Sequence, residues 1–327
     1  MQSWPDVFER FKKQRVLIIG DVMLDGYIWG SVERISPEAP VPIVQVTRRE
    51  NRLGGAANVA LNVLALGAQP ILCALTGSDD NGQQLRSLLE GKKLSTEGIV
   101  ASASRPTTVK ARVIASDQHV VRIDQESDQV ATQEEERQLL ARIEKLIGGC
   151  DVVIFEDYDK GVITPAVIAK TVEWARAKGI PTVVDPKKRN FLHYKGVTLF
   201  KPNVKELREG LKIELDPRDL ASVKDAVGQL KSKLAVDGVM LTMSEHGVFI
   251  QRDGKEARVP AHKREIADVS GAGDTVVSIA ALCVALKLSA EDTAFLSNLG
   301  GGLVCQHVGV VPIDREELLQ EAASTGD

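Results

Sequence analysis

Short apolar runs rich in β-branched residues alternate along this chain with longer segments of helical apolar spacing. RVLIIGD (15–21), PILCAL (70–75), CDVVIFE (150–156), IPTVVDP (180–186), VTLFKPN (197–203) and GVMLTM (238–243) are nearly continuous in their apolarity. That pattern predicts strands covered on both faces rather than half-exposed ones. AANVALNVLALG, DNGQQLRSLLEG, TQEEERQLLARIEKLIGG and TPAVIAKTVEWARAKG predict helices between them, most ending at glycine. Strands alternating with helices imply an α/β fold, a doubly wound and mostly parallel sheet. Residues 22–50 and 105–124 break the rhythm, with strand-like alternation and no intervening helix. They predict a small antiparallel sheet standing apart. Ligands of open α/β sheets bind beyond the carboxyl ends of the strands, so such a sheet would cover the site as a lid. No long repeat, low-complexity segment or linker divides the chain, and residues 1–327 read as one domain carrying that lid.

Composition narrows the class. The 327 residues are 43% hydrophobic and carry a net charge of −4, which gives no electrostatic reason to expect a nucleic-acid or membrane partner. The longest nearly apolar stretch, Val276 to Leu286, is too short for a bilayer, which takes roughly 20 residues. The N-terminal MQSWPDVFERFKKQ lacks the basic-then-apolar order of a secretory signal. Cys73, Cys150, Cys283 and Cys305 are widely spaced in apolar surroundings, which favours buried thiols over disulfides or a zinc site. The expectation is a soluble, cytoplasmic protein. The five histidines show no ligand spacing.

Four motifs carry candidate chemistry. In Asp268-Val-Ser-Gly-Ala-Gly-Asp274 an apolar helix begins near Gly271. The first N–H groups of a helix lack intrahelical partners, and with the dipole they favour an anion. Glycines let a phosphate approach the backbone, and Asp274 in the first turn would stay ionised and accept a proton. The alternative is an ordinary tight turn. Asn203 and Glu206 in NVKE share one helical face and either cap that helix or hold hydrated Mg²⁺ against nucleotide phosphates. Gly54, Gly55 and Asn58 in GGAAN either meet a small polar ligand or pack helix closely on sheet. Asp21, after Gly20 at the end of the first strand, and Asp25 suit sugar hydroxyls, or simply a turn.

In this order the motifs resemble the ribokinase-like (PfkB) carbohydrate kinases over essentially the whole chain, although Val269 stands where that family usually has Thr. The resemblance implies Asp274 as catalytic base and Gly271, Ala272 and Gly273 as the anion hole. It implies Asn203 and Glu206 as the Mg²⁺–phosphate element, with ATP and Mg²⁺ as cofactors and an antiparallel lid. It also points to a homodimer joined through the lids, whose apolar Ile28, Trp29, Val41, Ile43 and Val44 want a partner. GDVMLDGYIWGSVERISPEAPVPIV, RPTTVKARVIASDQHVVRID and VVDPKKRNF are similar to the branch that phosphorylates a heptose 7-phosphate at C1. Kinases of another sugar, sugar phosphate or nucleoside are the alternative. With no second domain before residue 327, the chain reads as a stand-alone kinase.

A sugar phosphate as acceptor needs cations remote from the reacting hydroxyl. Lys187 in Asp185-Pro-Lys-Lys-Arg189 is the first candidate, then Arg105, Lys110 and Arg112. Asp185 would act on Mg²⁺ through water. Glu156 and Asp157 end a strand and are either site or turn residues. On the nucleotide side, Ser270 would join the glycines, while Ser244, Gly247 and Asn298, with Gly301, would line the adenine pocket.

Overall fold

A computed structural model describes residues 3–115, 118–262 and 264–325. Among them the large sheet has nine strands, numbered with all others in chain order. They are β1 (Arg15–Gly20), β4 (Gln69–Gly77), β5 (Ile99–Ser102), β8 (Val152–Glu156), β9 (Thr182–Asp185), β10 (Leu199–Phe200), β11 (Gly238–Thr242), β12 (Val248–Arg252) and β13 (Lys255–Val259). Their order across the sheet is β13-β12-β11-β10-β9-β8-β1-β4-β5. All neighbours from β11 to β5 are parallel, while β12 and β13 fold back antiparallel at one edge. The chain winds outward from β1 in both directions, so a crevice opens beside the carboxyl ends of β1 and β8.

Both faces of the sheet are covered. Val16 and Ile18 of β1 join a core with α1 (Trp4–Phe11), α2 (Ala56–Ala65), α3 (Asp80–Gly91), α8 (Ala272–Ala285), α9 (Ala290–Val304) and α10 (Arg315–Thr325). Leu17 and Ile19 face the other way, toward α4 (Gln133–Ile147), α5 (Pro165–Ala177), α6 (Val204–Leu211) and α7 (Leu220–Leu234). This two-sided burial is why the strands read as unbroken apolar runs. Cys73, Cys150 and Cys283 are buried and Cys305 half-buried, all as free thiols. Among the described residues no helix is long and apolar enough to cross a membrane.

The small sheet contains β2 (Val22–Ile35), β3 (Pro42–Gly55), β6 (Thr108–Ala115) and β7 (Gln118–Gln125), in the order β3-β2-β6-β7. It is the expected antiparallel cover, built of two antiparallel pairs, β2–β3 and β6–β7. The pairs join through a parallel β2–β6 contact, because β2 follows β1 and β6 follows β5, two strands that run in the same direction. The first segment reaches Gly55 rather than residue 50, so both glycines of GGAAN lie in β3. Register fixes the faces. Asp25, Tyr27 and Trp29 stand level with Lys110, Arg112 and Ile114, and with Arg52, Glu50 and Arg48. The opposite face holds Ile28, Ala111, Val113, Val121 and Ile123.

Candidate active site

Gly271 caps α8 in a left-handed conformation (φ 81°), which an L-residue rarely adopts. It aims the start of α8 at the carboxyl ends of β8 and β9, where Tyr158 and Asp185 lie. Ala272 spends its N–H on the Val269 carbonyl (3.3 Å), so of the expected hole it is the one N–H already engaged. Among the described residues the N–H groups of Gly271, Gly273 and Asp274 have no protein acceptor. Asp268 shapes the turn, accepting from the N–H of Ser270 and of Gly309 (2.9 Å each), and Ser270 serves as backbone of that turn.

Asp274 is buried, and each of its carboxylate oxygens accepts one hydrogen bond. Asn58 Nδ2 donates to Oδ2 (2.7 Å) and the Tyr158 hydroxyl to Oδ1 (2.7 Å). Burial pushes its pKa up to about 6, against the pull of those two donors, which still leaves it mostly ionised at neutral pH. A base poised near working pH is what proton abstraction favours.

Beside this base lies a group of charges. Lys201 Nζ pairs with Asp185 Oδ2 (2.8 Å), both buried, and a side chain at Gly273 would meet Asp185 Oδ2 at 3.4 Å. Burial works against the Lys201 charge, but Asp185 and Glu206 outweigh it and raise its pKa. Lys187 contacts Glu206 Oε1 closely and lies 3.9 Å from Asp185 Oδ1. The structure thus sets Lys187 against the carboxylates of Asp185 and Glu206, beside Lys201. Glu156 is buried with Oε2 unpartnered, and burial, Asp185 and Asp274 hold its pKa well above the usual carboxylate range.

Asn203 and Glu206 form a reciprocal cap at the start of α6. Asn203 Oδ1 accepts from Glu206 N (2.8 Å), and Glu206 Oε2 from Asn203 N (2.9 Å). Capping is thus what these atoms do in the structure. Among the described residues no three acidic, histidine or cysteine side chains converge as a metal cage. The oxygen donors of Asp185, Glu206 and Glu156, with the unpartnered Glu156 Oε2, nonetheless suit a hydrated Mg²⁺, which keeps its waters and takes few protein ligands.

On the sugar side, Asp21 is buried and already accepts three backbone N–H bonds, from Tyr158 (2.7 Å), Lys160 (3.2 Å) and Val162 (3.2 Å). Burial, aided by the charge of Asp157, pushes its pKa up to about 6. Asp25 is buried against Arg112 (2.9 Å). Gly54 and Gly55 prove to be close-approach residues: a Cβ on Gly54 would collide with the Asp25 carboxylate, and one on Gly55 with the Asp21 carbonyl. Arg105 brackets a loop through the carbonyls of Ser127, Gln129 and Lys160, and its Nη1 is buried without a partner. Asp157 is structural, held by the Asn190 amide (3.0 Å) and the Tyr194 hydroxyl (2.7 Å).

Ser244 and Gly247 follow β11, and Gly247 packs against the Val259 carbonyl and Ala261 N. Asn298 Nδ2 donates to the Pro260 carbonyl (2.9 Å), so Gly247 and Asn298 meet around residues 259–261, while Ser244 lies in the turn before Gly247 and accepts from its N–H (3.0 Å). Sequence reasoning missed Tyr158 and Lys201. The signal available was their position: each directly follows the end of a parallel strand or the residues just beyond it, where ligand sites of such sheets lie.

Comparison with known proteins places these features in a wider set. The family described as pfkB family carbohydrate kinase matches residues 13–316. The bifunctional protein HldE of Pelobacter propionicus is 39% identical over 323 residues, covering 98% of this chain and 66% of the relative. That of Citrifermentans bemidjiense is 40% identical over 315 residues, covering 96% and 64%. The chain thus spans just under two thirds of these relatives' length. Escherichia coli phosphofructokinase-2 in complex with potassium superposes with a TM-score of 0.80 at 18% identity, covering 96% of this chain and 99% of that one. Arabidopsis thaliana ribokinase complexed with ribose and ATP gives 0.71 at 16%, covering 94% and 99%.

Proposed function

The chain belongs to the pfkB family of carbohydrate kinases, and from that premise we propose that ATP and a heptose 7-phosphate are its substrates. The product is the 1,7-bisphosphate, formed at the anomeric C1 hydroxyl on the way to ADP-heptose. The observation that carries the chemistry is the buried Asp274 carboxylate beside the open N–H groups of α8. What supports the heptose reading is the three stretches noted in the sequence, together with similarity over nearly all of this chain to about two thirds of the bifunctional HldE relatives.

In the proposed reaction Asp274 accepts the proton of the C1 hydroxyl as that oxygen attacks the γ-phosphoryl group in line. The N–H groups of Gly271, Gly273 and Asp274 take up charge developing on the transferred group. Lys187 and Lys201 add positive charge on that side. Asn203, Glu206 and, through water, Asp185, with Glu156 beside them, would hold Mg²⁺, which would supply positive charge against the nucleotide phosphates. Ser244, Gly247 and Asn298 border the adenine. Asp21 and Asn58 orient the sugar, and the acceptor's own phosphate falls to lid-side cations. Lys110 is the first of these, since it forms no ion pair among the described residues, with Arg105 Nη1 the second. The chain works as one kinase domain in the cytoplasm, as a dimer joined through its lids.

An ADP-release assay over a panel of acceptors tests the substrate. Turnover is expected to be fastest on heptose 7-phosphate. Silence on it, with rapid turnover of fructose 6-phosphate or ribose, overturns the heptose reading and leaves the kinase one.

A further inference from the structure

Asp274 at the start of α8 is held by two donors that belong to different parts of the fold. Asn58 comes from α2, and Tyr158 from the loop after β8. The Tyr158 main chain is itself fixed, its N–H donating to Asp21 Oδ2 at 2.7 Å. Its ring lies under the lid, with Lys110 Nζ 5.8 Å and Lys187 Nζ 5.7 Å from the ring centroid. A phenol half-buried under the lid seeks an acceptor, and any backbone carbonyl would serve. Here the acceptor is the carboxylate that faces the anion hole.

We propose that Tyr158 is a positioning residue for the kinase reaction, its hydroxyl fixing one oxygen of Asp274 so that the carboxylate meets the attacking hydroxyl in one orientation. The inference rests on the reading of Asp274 as base. With one donor on each oxygen, the carboxylate cannot rotate, and each oxygen keeps lone-pair capacity for the incoming proton. A hydrogen bond to the ionised form also favours that form. The charged groups facing Asp274 are Asp185 and Glu156, which oppose ionisation, and Lys201, which favours it, with Lys187 beyond.

The test is Tyr158→Phe, which keeps the ring, assayed with the full chain across pH 5 to 9. Losing one bond to a charged acceptor is expected to lower kcat at pH 6 about 5-fold, with both KM values within about 2-fold. The acid limb of kcat/KM should move up by about one pH unit, so that activity largely returns at high pH. Introducing 3-fluorotyrosine at position 158, a stronger donor of similar size, should move the limb down. An acid limb superimposable on the parent's in both variants, or an equal loss at every pH with raised KM, overturns the proposal. Asp274→Asn separates the two readings. If it keeps turnover, the base assignment fails; if it is inactive while Tyr158→Phe matches the parent, only the role of Tyr158 fails.

Discussion

At the scale of single residues, burial decides what the charged groups can do. Asp274 sits where desolvation raises its pKa to about 6, so below that value the base is protonated and idle. The rate should therefore rise with pH through about 6 and level off above it, as read from kcat/KM against pH. Asp274→Asn removes the base but keeps the shape, and turnover is expected to fall about 10²- to 10⁴-fold with nucleotide binding kept. Unchanged turnover would take Asp274 out of the mechanism. Lys201 poses the opposite case, a buried cation whose worth lies in its partner. Lys201→Met takes the close partner from buried Asp185 and leaves it only Lys187 at 3.9 Å, which costs up to about 3–5 kcal/mol, measurable by denaturant unfolding. Adding Asp185→Leu should recover part of that loss. A double variant no more stable than the single one would mean that the pair is not what holds this region.

At the scale of elements, one motif shows how a structural and a chemical reading share the same atoms. The Asn203–Glu206 box satisfies the first turn of α6, so Asn203→Ala should cost about 1 kcal/mol in thermal unfolding. Asn203→Asp keeps an acceptor for Glu206 N. It should fold like the parent while raising the KM for ATP, because it puts a negative charge toward the phosphates. An unchanged KM would confine Asn203 to capping. The same distinction explains what was legible beforehand. The parallel strands announced themselves as unbroken apolar runs, and DVSGAGD lies at the start of α8 as its glycines implied. The β12–β13 hairpin was missed although Asp253-Gly254, both at positive φ (55° and 71°), is a two-residue turn signal in plain sight. Tyr158 and Lys201 were missed for a different reason. Their partners are 116 and 16 positions away, and no local pattern records a contact that only the sheet order creates. Lys187 was placed near the site by its strand end, but which carboxylate it would face depended on where α6 docks.

At the scale of the whole molecule, the small sheet has two faces of opposite character. Tyr27, Lys110 and the Asp25–Arg112 pair look inward, and the Tyr27 ring stacks on Trp29 with Arg52 beside it. The other face exposes an apolar strip along β7, where Val121 is 51% exposed and Ile123 54%, while Val113 of β6 beside them is buried. A contiguous apolar face on a sheet with open edges is where a second sheet packs. A second copy of this chain offers the same face with the same twist, so the proposed lid-to-lid pairing would cover both at once. Val121→Glu together with Ile123→Glu sets like charges across that contact and touches nothing in the crevice. Exposed positions of this kind change monomer stability by about 0.5 kcal/mol or less, so the variant should stay folded. Light scattering is expected to show a dimer for the parent and a monomer for the variant. The acceptor KM should rise while the nucleotide KM holds, because Lys110 and Arg112 lie on the reverse side of the loosened strands. A variant still dimeric at the parent's concentration would place the interface elsewhere and leave the apolar face of the lid without its proposed partner.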